Sequence, residues 1–342
     1  MRQHDFEPRP AHLKWLLDSD PSIRWQVMRD LPGGSPNAIA AERRRIATCG
    51  WGAQLLAAQS PSGTWGGSPR VWRSELPKQE RDLLITLYAL TILKDFGLDP
   101  ASKQARKMIG RIDRRVVFPR LNNRPYFHGE TEPCINGRIL GLGAYFKEPN
   151  EELARQLVGE QLQDGGWNCE APQSRRSSFH TTICVLEGLL DYERAGGKSA
   201  AVRMARKRGE TYLLERRMFR SLRTGTIIDK SWLRFSYPVF WHYDVLRGLD
   251  YLRDAGVKPD GRVGEAIRII LKRRHQNGLW PLDLLHPEFI PLEMETRVGG
   301  RSRWNTLRAL RVLRWYESSA ESSRRLRPPA GHKVSRTKLQ PH

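Results

Sequence analysis

Gln161-Leu162-Gln163-Asp164-Gly165-Gly166-Trp167 has the form Q-x-x-x-G-x-W, and so has Gln59-Ser60-Pro61-Ser62-Gly63-Thr64-Trp65. A third stretch, Arg274-His275-Gln276-Asn277-Gly278-Leu279-Trp280, keeps the Gly and the Trp without the first Gln. The three tryptophans are 102 and 113 positions apart, which leaves room for two helix pairs in each interval. A unit of about 50 residues recurring along a chain is the signature of a helical repeat architecture.

Working outward, apolar residues recur at helical spacing over 37–58, 80–95, 101–113, 134–147, 150–163, 178–194, 197–217, 240–254, 262–274 and 303–316. Gly, Pro, Asn and Asp stand between these segments, as in Phe96-Gly97-Leu98-Asp99-Pro100. The segments alternate in character. Residues 83–93 and 183–190 are apolar on most faces, whereas 101–113 and 197–215 carry one apolar stripe and many Lys or Arg. The pattern predicts an all-α fold: an (α/α) toroid of five to six helical hairpins, with buried inner helices and amphipathic outer ones. Residues 1–34 form a helical segment packing on that ring, 35–317 are the repeat domain, and 318–342 are a disordered basic tail.

The chain has 342 residues, 39% of them apolar, enough for a large core. No apolar run reaches the roughly 18 residues needed to span a bilayer. The N-terminus lacks the apolar stretch of a secretory signal, so a cytoplasmic location is expected. Cys49, Cys134, Cys169 and Cys184 then read as reduced thiols. With 58 Lys and Arg against 37 Asp and Glu, the formal charge is +21, a field that favours anionic partners.

The Q-x-x-x-G-x-W turns resemble those of the terpenoid cyclase and protein prenyltransferase superfamily. The likeness covers residues 35–317 and is nearest to bacterial squalene-cyclase-like proteins, through stretches at 164–169, 177–182, 241–247 and 302–315. Class II cyclases protonate their substrate with a D-x-D-D motif. This chain has only Asp18-Ser19-Asp20-Pro21, ahead of a helix, where capping explains it.

Prenyltransferase β subunits hold zinc with a D-x-C motif at one inner helix and a His at the next. Glu132-Pro133-Cys134 and Ser178-Phe179-His180-Thr181-Thr182 stand in the corresponding places. The resemblance implies Zn²⁺ on Cys134 and His180, with Glu132 in place of the Asp. Cys169, in the loop between, has no counterpart there. Physical chemistry agrees: Pro133 suits a first helical position and Ser178 a cap, which puts Cys134 and His180 in first turns. Helix N-termini favour thiolate, and Zn²⁺ prefers sulfur and imidazole ligands. Cys134, Cys169 and His180 are thus expected to hold zinc at the cavity mouth, with the fourth ligand open among His242, Glu132 and His128.

His242, Tyr243 and Asp244 are candidate catalytic residues, since a His beside a carboxylate can move protons. Glu132, Trp304, Asn305 and Arg301 are candidate substrate contacts, with Glu293 and Glu295 on the same long connection. Trp65, Trp167 and Trp280 are expected to pack the turns. Three functions fit. The first is a zinc-dependent enzyme acting on an isoprenoid or other anionic substrate in the central cavity. The second is a binding scaffold, for a small-molecule or peptide ligand, with a structural metal. The third is a nucleic-acid-binding protein working through its basic tail.

Overall fold

The computed structural model describes residues 8–31, 33–66, 76–286, 292–295 and 297–325, with backbone alone for 319–325. Among these the chain is all-α, apart from isolated bridges and one short antiparallel pair, β1 (Val117–Phe118) with β2 (Arg124–Pro125). The helices are α1 (Pro10–Leu17), α2 (Pro21–Asp30), α3 (Pro36–Arg45), α4 (Gly50–Ala57), α5 (Lys78–Phe96), α6 (Lys103–Arg115) and α7 (Pro133–Phe146). They continue as α8 (Glu151–Gly159), α9 (Phe179–Arg194), α10 (Ala200–Glu215), α11 (Val245–Asp254), α12 (Gly264–Arg273) and α13 (Arg303–Arg325).

The repeat turns owe their residues to hydrogen bonds. Trp65, Trp167 and Trp280 are fully buried, and each indole N–H donates to the carbonyl ten residues earlier: Leu55 at 2.7 Å, Leu157 at 2.6 Å and Ile270 at 2.8 Å. The turn is thereby tied to the helix it follows. Gln59 donates to Gly63 O and, across to α6, to Met108 O; Gln161 does the same to Gly165 O and to Ala205 O of α10. The glycine sits at positive φ in all three copies. A Cβ at Gly63 or Gly165 would press on the Arg111 or Arg208 carbonyl, and one at Gly278 on His12 of α1. Each turn therefore leans on the next outer helix. For the third turn that neighbour is the first helix of the chain.

Six helices meet in a closed circuit. Arg138 of α7 donates to Thr91 Oγ1 of α5 at 2.9 Å, and Gly137 of α7 faces Gly188 of α9. Arg247 of α11 pairs with Glu187 of α9 at 2.6 Å, and Arg308 of α13 lies 3.7 Å from Asp250 of α11. Arg311 of α13 reaches Gln26 of α2 at 2.7 Å, and Trp25 of α2 donates to Phe96 O of α5 at 2.7 Å. These are also the helices with the most buried faces, since each is flanked on both sides.

Several boundaries differ from the sequence reading. The first 34 residues do more than pack on the ring, because α2 is the link between α13 and α5. The segment 37–58 divides at 46–49, where Asp20 takes over the capping: its carboxylate accepts from Ser22 N at 2.8 Å and Trp51 N at 2.7 Å, starting both α2 and α4. Residues 240–244 are not helical. Phe240 has φ +47°, and the Asp244 side chain accepts from Arg247 N, so α11 begins at Val245. At the far end α13 runs on to Arg325, past the predicted limit near Glu317. The remainder of the basic tail, from 326, lies outside the described residues, and no described helix is long and apolar enough to cross a membrane.

Candidate metal centre and central cavity

Loop 129–132 is held in place from inside. Asn136, fully buried on α7, accepts from Glu130 N at 2.7 Å and donates to Glu130 O at 3.0 Å. Glu130 in turn accepts from Glu132 N at 2.7 Å. Pro133 opens α7, and the Glu132 side chain makes no cap bond there. Its carboxylate instead lies 3.5 Å from Cys134 Sγ. From the other side, the loop before α9 is pinned by Ser178 N donating to Trp167 O at 2.8 Å. That brings Cys169 beside Thr181, 3.4 Å from sulfur to hydroxyl.

Glu132, Cys134 and Cys169 consequently offer three ligand atoms within 4.8 Å of one another. The proximity of the two sulfurs holds the Cys169 thiol below its ordinary value and, with burial, pushes Cys134 above it. A tetrahedral ion with Zn–S bonds of about 2.3 Å sets its ligand sulfurs about 3.8 Å apart. The donor set and its span fit zinc.

His180 is where the sequence placed it along α9, but it stands outside this group. Its Nδ1 accepts from Tyr243 N at 2.8 Å, so the neutral ring carries its proton on Nε2 and has no lone pair to give a metal. Burial, aided by His242 and Arg247, lowers its pKa to about 4. An aromatic group surrounds it: Trp241 at 5.0 Å, Trp232 at 5.6 Å and His242 at 6.0 Å between ring centroids. His242 is stacked between Trp241 and His286.

The other candidates also make contacts within the fold. Tyr243 is buried and donates to Met218 O at 2.7 Å, while Asp244 caps α11. Asn305 ties Phe235 O and Pro281 O, Glu295 accepts from Arg303 N and Ser302 Oγ at the start of α13, and Arg301 lies over the Trp15 ring. Trp304 is stacked between Phe96 and Tyr237. Cys184 is fully buried, and His128 ends a short 3-10 turn.

A cavity of about 550 Å³ lies inside the circuit. Its lining comes from α2, α5, α7, α9, α11 and α13 and from Tyr237, Val239 and Phe240, and Glu132, Cys134, Cys169 and His180 are not part of it. The segment 237–241 reaches into the circuit. Tyr237 stacks on Trp304 of α13, and Phe240 packs on Tyr88 of α5. The Phe240 carbonyl accepts from Arg138 of α7, and the Trp241 carbonyl from Cys184 of α9. At the open end Arg194 and Asp254 are 47% and 44% exposed, against 4% for Arg247 below them. The cavity begins one helical turn beyond the cluster, at Gly137 and Arg138 of α7 and Cys184 of α9.

No protein-family model matches the chain, and no curated protein matches it. Solved structures similar to it include a crystal structure of a protein from Actinoplanes, at TM-score 0.41 and 15% identity, covering 87% of this chain and 90% of that one. A variant of the type II terpene cyclase MstE from Scytonema, in complex with its substrate geranylgeranyl dihydroxybenzoate, has TM-score 0.41 and 14% identity, covering 88% and 86%. The apo form of MstE has TM-score 0.41 and 15% identity, covering 86% of each chain.

Proposed function

We propose that the chain is a zinc-dependent enzyme on an (α/α) toroid of six hairpins, with its reaction centre at the N-terminal rim of α7 and α9. Glu132, Cys134 and Cys169 are the ligands of this reading, and the fourth position belongs to water or a substrate thiol. The observation that carries it is the convergence of two sulfurs and a carboxylate from two separate loops. A zinc ion with three protein ligands supplies Lewis acidity to whatever occupies its open position. Trp241, packed against His180, is 38% exposed and offers an apolar face suited to an isoprenoid chain. His180, neutral at pH 7, orients Tyr243 and does not bind the metal.

Metal analysis of the purified chain tests this reading. One zinc per chain is expected, lost in Cys134→Ser and in Cys169→Ser and retained in His180→Asn. Cobalt substitution should give a thiolate-to-metal absorption band, and a small added thiol should shift that band if the fourth position is open. Full-length protein with no zinc and no cobalt band would overturn the proposal. A band insensitive to thiol, with unfolding on metal removal, would leave only a structural ion.

A further inference from the structure

We infer that the cavity inside the helix circuit is a binding site for a small polyanion of the phosphate class, lined by none of the cluster residues. Nine Arg and Lys line it against five Asp and Glu, six when Asp30 beside Arg311 is included. Part of this surplus has an ordinary cause. Arg29, Lys94, Arg194 and Arg253 occupy the last turns of α2, α5, α9 and α11, where cations offset the negative end of a helix.

The deeper arginines have no such explanation. Arg138, Arg247, Arg308 and Arg311 come from three helices and are each at most 9% exposed. Charge burial of this kind is costly without counter-charge. Arg247 has Glu187, Arg311 has Asp30, and Arg308 has Asp250 at the longer distance of 3.7 Å. Arg138 spends its hydrogen bonds on neutral oxygens, the Phe240 carbonyl and the Thr91 hydroxyl.

A second observation points the same way. Four residues lining the cavity hold a buried polar atom without a hydrogen-bond partner: Arg138 Nε, Arg311 Nε, Tyr237 Oη and Trp304 Nε1. All four can donate, and none of the lining residues contributes an unpaired buried carboxylate oxygen. Covered donors left unpaired weaken a fold, and a ligand rich in acceptor oxygens satisfies them. The charge count selects the class. One carboxylate brings a single charge and two oxygens, whereas a phosphate or diphosphate group brings two or more charges and at least three oxygens, as arginine clusters prefer. About 550 Å³ holds such a group with an organic portion attached.

Calorimetric titration of full-length protein with inorganic pyrophosphate tests the inference, with citrate as the carboxylate control. It is run in the Cys134→Ser background, so that chelation at the rim cannot contribute and the outcome is independent of the metal reading. Saturable binding is expected, weakened by added salt and by at least about tenfold in Arg138→Gln, the loss of one charge-assisted contact. Tyr237→Phe guards against mere unfolding. It should weaken binding several-fold while leaving the melting temperature of the ligand-free protein equal or higher, because a buried unpaired hydroxyl is removed. Absence of saturable binding, affinity unchanged in both variants, or citrate bound as tightly as pyrophosphate would each overturn the proposal.

Discussion

Asp30, at the end of α2, forms an ion pair with Arg311 of α13, so an early and a late helix are joined by charge across the circuit. Arg311 is 8% exposed in its side chain and also reaches Gln26. Burial works against ionisation of Asp30, but the Arg29 hydrogen bond and the Arg311 charge together hold its carboxyl below the usual 3.8.

Asp30→Asn strands a buried guanidinium and should cost about 3 kcal/mol. The sign with pH follows from the lowered value. The pair's contribution is complete above the unfolded pKa and is lost as pH falls through the folded one. Melting temperatures of wild type and variant should therefore differ at neutral pH and converge in strong acid. Equal melting temperatures at neutral pH would mean that this contact does not hold the ring closed.

Gly137 and Gly188 set the spacing of α7 and α9. An added Cβ at Gly188 would lie 1.9 Å from the Gly137 carbonyl oxygen, and one at Gly137 would lie 2.6 Å from Val185 Cα. Alanine gains about 1 kcal/mol of helix propensity over glycine. Overpacking against backbone that cannot swing aside outweighs that gain, so Gly188→Ala should destabilise by at least about 2 kcal/mol net. Gly159 of α8 has nothing within 4 Å, and Gly159→Ala should be neutral or slightly stabilising. Chemical denaturation of the two variants separates crowding from propensity.

The fold was legible where chemistry repeats and obscure where partners come from far along the chain. Gln161, Gly165 and Trp167 announced a turn because each has a local task, and the turn formed around all three copies. Cys134, from its helix start, and Cys169, from the loop before the next helix, can be read as neighbours from local signals. His180 could not be judged that way, because the choice between ligand and acceptor depends on Tyr243 N, 63 positions away. Nothing in the spacing of Tyr237, Val239 and Phe240 shows that this segment reaches into the circuit. A left-handed Phe240 and contacts to four different helices put it there. The deep arginines were likewise invisible as a group. They are one position each on α7 and α11 and two on α13, and +21 of overall charge masked them.

The repeat turns predict graded costs. Trp167→Phe removes the bond to Leu157 O and leaves a void, a loss of about 3 kcal/mol. The Gln positions should differ from each other. Gln59 is 6% exposed and satisfies two carbonyls, whereas Gln161 is only half-buried, so water can replace it. Gln59→Leu should therefore destabilise more than Gln161→Leu in parallel urea titrations, and the reverse order would contradict the role assigned to the buried amide.

Two titrating groups oppose each other between neutral and mildly acidic pH. Burial pushes Asp95 up to about 6, with Lys94 resisting and Glu187 assisting, while burial lowers His180 to about 4. The folded state takes up the Asp95 proton before the unfolded state does, so stability rises as pH falls from about 6 towards 4. For His180 the unfolded state binds the proton first, and stability falls as pH drops from about 6.5 to about 4. Each shift spans roughly two units, or about 3 kcal/mol at most. Wild type should show little net change from this pair. Asp95→Asn should be more stable than wild type at neutral pH and lose that advantage in mild acid, exposing the His180 loss. His180→Asn should gain stability on acidification, because only the Asp95 effect remains. Urea midpoints at about pH 7 and about pH 4.5 for the three proteins decide the matter. Parallel pH dependence in all three would show that neither group titrates with the shifted value its burial implies.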